Sequence, residues 1–387
     1  MRKIQTLNNI AVQGLERLPR DQYEVSSECS DPHAIMLRSF KMHDMAIPPS
    51  LIAVGRAGAG VNNIPVDKMS QRGIAVFNAP GANANAVKEL VIAGMLLASR
   101  NLCQAWQYAK NLQGDDSVIS KQVEAGKKKY VGYELPGRTL GVIGLGAIGV
   151  KVANSARALG MNVIGYDPGI SVQSAWNLSS EVEPVSSVDA MMQRADFITL
   201  HVPLIPATKN IINADRLKLM SSTGVILNFS RDGIVDDAAV LAALEEDRLH
   251  AFVTDFPSNL IKDHERVICL PHLGASTVEA EQNCAVMVAD QLRDYLEHGN
   301  VTNSVNFPEV HLARRSDYRL AVVNANMPDM VGQISHILGA HSINIDHMLN
   351  ESRKDIAYTL MDLDKTVPDA VQQEIMGIEG VLAVRMI

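Results

Sequence analysis

The chain has 387 residues, 47% of them hydrophobic and 20% charged. That is more than one compact core holds, so two or three domains are expected. With 35 basic against 43 acidic residues the formal charge is -8, which argues against a nucleic-acid partner, and 4% aromatics exclude a surface built on stacking rings.

The first hundred residues alternate short apolar runs with helical ones. Ala34 to Leu37, Leu51 to Val54 and Ala75 to Phe77 read as buried strands, and Asn83 to Arg100 as a helix. Strands alternating with helices predict a parallel α/β unit. From Gln113 to Gly137 the pattern dissolves into an expected loop carrying the basic run Lys127 to Lys129, which reads as a solvated segment.

A second series begins at Arg138. Strands are expected at Thr139 to Ile143, Asn162 to Tyr166, Phe197 to Leu200, Val225 to Asn228, Ala251 to Thr254 and Val267 to Leu270. Helices are expected at Ile148 to Leu159, Asp236 to Leu249 and Ser276 to Glu297, the last stopped by Gly299. After a linker at His311 to Ser316, the order β, α, β, β, α, β runs from Tyr318 to Met386, a ferredoxin-like unit.

The four cysteines, Cys29, Cys103, Cys269 and Cys284, lie far apart without a C-x-x-C pair. Neither a disulfide framework nor a metal site is expected, and a reducing cytoplasm is the natural compartment. The N-terminus lacks the apolar core of a signal peptide. The longest apolar run, Leu90 to Ala98, is about half of what a membrane span needs, so no membrane partner is expected.

Gly144-Leu-Gly146-Ala147-Ile148-Gly149 is a G-x-G-x-x-G that closes an apolar strand and opens a helix. The first glycine permits the tight turn, the second lets backbone approach a pyrophosphate, and the third packs helix on strand. Asp167 lies 18 residues beyond Gly149, at the end of the next strand. A carboxylate there accepts ribose hydroxyls and repels a 2′-phosphate, and no Arg stands beside it, so NAD is favoured over NADP. The remaining strand ends carry His201-Val-Pro203, Ser230-Arg231, Asp255 and His272, where a doubly wound sheet binds its ligands. His201 reads as a structural or cofactor-wall histidine. Arg231 suits a substrate carboxylate, or else pairs with Asp232 or Asp236. His272 has the titration range of a general base and equally the position of a helix cap.

Together, Gly144 to Gly149, Arg231, Pro271-His-Leu-Gly-Ala-Ser-Thr277 and Gly55-Arg-Ala-Gly-Ala-Gly60 resemble the D-2-hydroxyacid dehydrogenase family, and the C-terminal unit resembles an ACT domain. The resemblance implies two doubly wound Rossmann-like domains plus the βαββαβ module. Residues 1–98 with 276–304 would bind substrate, 99–275 would bind NAD, and 316–387 would regulate. It implies Arg231 as carboxylate anchor and His272 as acid/base. Arg56, Ala57, Gly58, Asn83, Arg38 and Ser39 would contact substrate. Gly144, Gly146, Ala147, Ile148, Gly149, Asp167, His201, Pro203, Phe229, Ser230, Asp255 and Gly274 would contact NAD. The activity implied is oxidation of D-3-phosphoglycerate at C2, with reduction of glyoxylate or hydroxypyruvate, or a non-catalytic NAD(H)-sensing role, as alternatives. A homodimer or homotetramer is implied.

Two departures stand out. Asn259 occupies the place of the glutamate that usually pairs with the histidine, leaving Asp263, Glu265, Lys88 or Lys127 to Lys129 as substitutes. In the C-terminal module Asn324, Asn326 and Asn344 fall at amino-acid-binding positions suited to L-serine. The expected Pro-Gly is Pro328-Asp329, however, so a purely structural, dimerising module is the other reading.

Overall fold

The computed structural model describes residues 1–387, in two compact units formed by Met1–Asn83 with Val278–Ile387 and by Ala84–Thr277.

In the first unit, strands β1 (Arg2–Leu7), β2 (Tyr23–Ser26), β3 (Ala34–Leu37), β4 (Ala53–Arg56) and β5 (Ala75–Phe77) form an all-parallel sheet in the order β2-β1-β3-β4-β5. Central β3 and edge strand β5 are buried throughout, and a sheet covered on both faces needs such continuous apolar runs. β1 and β2 escaped the sequence reading because they are only partly buried, with Ile4 alone fully inside β1, and so carry no apolar run. The helix Val278–His298 packs against this sheet; a Cβ on Gly55 would lie 2.4 Å from Val288 Cγ1, so only glycine allows the approach.

The second unit is built on β6 (Thr139–Ile143), β7 (Asn162–Tyr166), β8 (Glu183–Pro184), β9 (Phe197–Leu200), β10 (Val225–Asn228), β11 (Ala251–Thr254) and β12 (Val267–Cys269). All pairs are parallel, in the order β12-β11-β10-β9-β6-β7-β8, and the order reverses between β6 and β9. The helix Ala84–Ser99 belongs here rather than with the first sheet, where the sequence reading put it. Val87, Val91, Met95 and Ala98 join Leu140, Val142 and Leu227 in one core, and a Cβ on Gly94 would touch Phe229 at 3.0 Å. The stretch read as a loop holds a helix, Asp116–Gly126, and a 3₁₀ turn, Lys127–Tyr130. Asp115 caps that helix by accepting from Ser117 and Val118 N–H, a signal already present in Asp115-Asp-Ser117.

The C-terminal module pairs β13 (Tyr318–Ala325), β14 (Ile345–Arg353), β15 (Ile356–Leu363) and β16 (Val381–Met386) antiparallel in the order β14-β15-β13-β16. Its helices Met330–Ala340 and Asp369–Met376 cover one face through Leu320, Val322, Met361 and Leu363. The other face, with Ala321, Val323, Tyr358 and Leu360, merges into the same core as Phe77, Leu292 and Tyr295. Within that contact the Arg319 and Asp362 side chains are both 0% exposed and joined by two bonds of 2.6 and 3.0 Å, while Arg319 Nη1 donates to His298 O at the end of the long helix. Burial alone would raise the Asp362 acid, but the Arg319 guanidinium and the Arg315 N–H hold it below the usual carboxylate range.

Arg319→Met leaves Asp362 charged in an apolar interior and should cost about 3–5 kcal/mol, whereas Arg319→Met with Asp362→Leu should recover most of it. Because the folded acid is depressed, the pair stabilises above the unfolded carboxylate pKa and that contribution is lost as pH falls through the folded value. Urea denaturation at neutral and acid pH checks both statements. Equal losses in the single and double variants would contradict them.

Candidate active site

The end of β6 turns at Gly144, whose φ is +90°, and a Cβ there would lie 2.5 Å from His201 O. A Cβ on Gly149 would lie 1.9 Å from Gly144 O, so helix and strand meet with no room for a side chain. Around Gly146, by contrast, a Cβ would find nothing within 4 Å. Gly146 is the N-cap of the helix Ala147–Ala158 and no side chain caps that end, which leaves the N–H groups of Ala147 and Ile148 to an anion.

The Asp167 carboxylate spans the turn, accepting from Leu145 N at 2.8 Å and Gly169 N at 2.9 Å. Beside it a cavity of about 340 Å³ is walled by Tyr166, Pro168, Val182 and Val185. Backbone open to a pyrophosphate, an anchored carboxylate for ribose and an apolar slot fit a dinucleotide.

His201 follows β9 and its Nε2 lies 3.0 Å from Thr199 Oγ1, while Nδ1 is buried without a partner. Burial pushes its pKa down to about 3, so the ring is neutral and does not carry a proton near neutral pH. Pro203 O accepts from Thr208 Oγ1, which closes the loop after His201.

After β10, Asn228 organises the turn: its Oδ1 accepts from Ser230 N and its Nδ2 donates to Arg231 O at 2.9 Å. Ser230 Oγ donates to Val202 O, tying this loop to the one after β9. Asn228 was not among the predicted site residues, although a buried amide ending an apolar strand was a legible signal. Phe229 turns its ring into the core against Gly94, which leaves only its backbone for a ligand. The Arg231 guanidinium is exposed, bonds only Ser230 O, and pairs with neither Asp232 nor Asp236.

His272 is exposed, stands at φ +32°, and its N–H donates to Asp255 O at 3.1 Å. Its ring meets the Phe256 ring edge-on at 4.9 Å. Asp255 is 1% exposed; Oδ2 accepts from Gly274 N at 3.3 Å and Oδ1 has no partner. Burial raises the Asp255 acid while the nearby His272 opposes that shift. Asn259 is exposed and makes no side-chain hydrogen bond, Asp263 pairs with Lys262, and Glu265 lies before β12 whereas His272 follows it. None of the expected substitutes therefore touches the histidine, and Asp255 is the carboxylate that lies near it. Lys88 pairs with Glu89 at 3.5 Å, and Lys127 with Glu124, so neither stands free as a base.

The remaining predicted substrate contacts sit in the first unit at the carboxyl ends of β3 and β4. Arg56 Nε donates to Arg38 O at 3.0 Å, Gly58 packs under the Arg56 guanidinium, and Arg38 pairs with Glu281 at 2.7 Å. Ala57 N donates to Leu37 O. Ser39 is exposed, and Asn83 immediately precedes the helix Ala84–Ser99. Asn63, unforeseen, donates to Arg38 O and Phe40 O and fixes this loop.

A family model described as the NAD binding domain of D-isomer specific 2-hydroxyacid dehydrogenases matches residues 92–274. The D-3-phosphoglycerate dehydrogenase of Haemophilus influenzae is 30% identical over 383 residues, covering 95% of this chain and 89% of its own. The chain belongs to the D-2-hydroxyacid dehydrogenase family. The dehydrogenase of the same name from Methanocaldococcus jannaschii is 40% identical over 293 residues, 73% of this chain, and this match spans about half, 52%, of that longer relative. Among solved structures, the NAD+-bound 3-phosphoglycerate dehydrogenase of Entamoeba histolytica superposes with a TM-score of 0.62 at 26% identity, covering 79% of this chain and 98% of the other. The residues matched by the NAD binding domain model, 92–274, fall within the second unit, Ala84–Thr277.

Gly149→Ala should disrupt the turn and abolish NADH binding. Gly146→Ala should fold normally and weaken NADH, since only the ligand side of Gly146 is open. Fluorescence titration beside a thermal melt separates the two, and unchanged NADH affinity in Gly146→Ala would contradict the assignment. His201 should show no imidazole titration between pH 5 and 8 by NMR, because its folded pKa lies far below that window.

Proposed function

We propose that the chain catalyses NAD-dependent oxidation of D-3-phosphoglycerate at C2 to 3-phosphohydroxypyruvate, the first step of serine synthesis. The relatives' names supply the substrate. The observation that carries the chemistry is Arg231, a guanidinium without a carboxylate partner at the ligand end of the parallel sheet. Its planar fork holds the substrate carboxylate bidentately, which orients C2. His272 takes the C2 hydroxyl proton, and the exposed ring, steadied by the Phe256 ring and carried on a backbone whose N–H donates to Asp255 O, supports that role. NAD, when bound, supplies the hydride acceptor. Buried Asp255, with Oδ1 unpartnered, offers an acceptor to a ligand amide. In the first unit, Arg56 and Arg38 are the cations proposed for a substrate phosphate, with Ser39 and Asn83 as donors, while the Ala57 and Gly58 N–H groups are committed to Leu37 O and Arg56 O and these two residues only line the loop.

A homodimer or homotetramer is part of the proposal, supported by exposed Leu102 and Trp106 on the helix Leu102–Lys110. Four unpaired cysteines support a reducing compartment, and no helix is long and apolar enough to cross a membrane. The predicted L-serine triad is divided within one chain. Asn326 bonds Lys354 O at one end of β15, whereas Asn344 bonds Asp346 and Asp364 at the other, about 25 Å away along the strand. Asn324 is buried against its own turn at Ala325 O. Asn326 and Asn344 thus meet one serine only across two copies of the module.

Initial rates of NADH oxidation should favour 3-phosphohydroxypyruvate over glyoxylate, hydroxypyruvate and 2-oxoglutarate. Preference for an unphosphorylated acid would move the substrate, and tight NADH binding with no turnover would favour a sensor. His272→Ala should lower kcat/KM by about 10²–10⁴. Asn259→Ala should stay within several-fold of the parent, because its exposed side chain makes no hydrogen bond. Equal losses in the two variants would refute that ranking.

A further inference from the structure

Arg231 and His272, the exposed groups assigned to the substrate carboxylate and the hydroxyl proton, follow different strands, β10 and β12. A path of three hydrogen bonds nevertheless joins their backbones. Asn228 Nδ2 donates to Arg231 O at 2.9 Å, Asp255 N donates to Asn228 O at 3.4 Å, and His272 N donates to Asp255 O at 3.1 Å. Asn228 is the residue that touches both sides, with its amide on the Arg231 turn and its carbonyl on the Asp255 segment.

Asn228 is 3% exposed at the end of β10, in register with Thr254 of β11. Both ends of its amide are used, since Oδ1 accepts from Ser230 N at 3.2 Å while Nδ2 donates to Arg231 O. An aspartate there could accept but not donate, and a serine is too short to reach both partners. The rest of the turn is pinned without that donor: Ser230 Oγ donates to Val202 O at 2.6 Å, and Asn210 N donates to Gly233 O at 2.9 Å. Between those two points the Arg231 carbonyl is held by Asn228, and the guanidinium itself bonds only Ser230 O. A guanidinium stands about 7 Å from its Cα, so a peptide tilt of roughly 10° displaces it by about 1 Å, enough to spoil the alignment of a bound substrate.

We infer that Asn228 is a positioning residue for the substrate carboxylate. Its amide fixes the Arg231 peptide, and so the direction in which the guanidinium leaves the sheet, at a set spacing from the segment that carries His272. The inference rests on the proposed role of Arg231, through which Asn228 acts.

The test uses the full chain saturated with NADH and titrated with oxamate, a carboxylate shaped like a small 2-oxo acid, with NADH fluorescence as the signal. Arg231→Ala should weaken oxamate about tenfold or more, because the bidentate anchor is gone. Asn228→Asp and Asn228→Ser, which each keep an acceptor for Ser230 N and lose the donor to Arg231 O, should both weaken oxamate about fivefold. NADH affinity, measured without oxamate, should stay within about twofold of the parent in both, since residues that act on separate ligands do not couple. In the Arg231→Ala background, Asn228→Ser should cost nothing further, because the group it aims is absent. If Arg231→Ala weakens oxamate but the Asn228 variants do not, the positioning role is wrong and the anchor stands. Loss in Asn228→Asp alone would mark a buried-charge effect, and additive losses or a parallel loss of NADH a merely structural residue; each overturns the inference. No oxamate binding by the parent, or full retention in Arg231→Ala, would sink the anchor reading and this inference with it.

Discussion

The helix Ala147–Ala158 begins so close to strand β6 that any side chain at Gly149 would overlap the carbonyl of Gly144. This approach sets the height and direction of the helix's first turn, and from it follow the uncapped N–H groups and the open space at Gly146. It also brings the β9 end against Gly144, since His201 O would meet any Cβ there. The cofactor side of the site is therefore a consequence of backbone packing before any charged residue acts.

Around that frame the polar groups divide the work by burial. His201 is neutral with its Nδ1 buried, Asp255 is buried with one oxygen unpartnered, and Arg231 and His272 are exposed. The Asp255 carboxylate lies near the His272 ring without a hydrogen bond to it, so it does not fix the ring's angle as a hydrogen-bonded glutamate would. That distinguishes this chain's chemistry from a hydrogen-bonded pair, and here Phe256 and the backbone hold the ring in place of a carboxylate.

In the first unit, the C-terminal module is joined by more than a linker. Its sheet is covered on both faces, and the buried Arg319–Asp362 pair reaches the carbonyl of His298. Tyr358 donates to Gly299 O, and Arg385 donates to Tyr295 O while lying 4.5 Å over its ring. A buried ion pair adds little net stability over an apolar replacement, but it penalises every arrangement that separates its partners. The module is thereby held in one register against the long helix.

What the sequence determined by itself was everything carried by local chemistry. The apolar runs named β3, β5 and β6 to β12 except β8, and β4 in part, at Ala53 and Val54 of the expected Leu51 to Val54, because a doubly covered parallel strand must be apolar along its length. The glycine spacing with Asp167 named the dinucleotide turn, because only glycine satisfies those approaches. The βαββαβ order was legible from periodicity, and Asp329 takes the left-handed conformation, φ +65°, that the missing glycine would have supplied. Tertiary structure alone decided the rest. The helix Ala84–Ser99 is apolar on a face that suits either sheet, and only its packing on Phe229 and Leu227 assigns it. Strands β1 and β2 are held by hydrogen bonds to neighbours distant in sequence, not by their own pattern. The absence of a carboxylate bonded to His272, the isolation of Arg231 from Asp232 and Asp236, and the separation of Asn326 from Asn344 depend on directions in space. Spacing along a chain does not encode those directions, because each is set by which distant surfaces exclude water together.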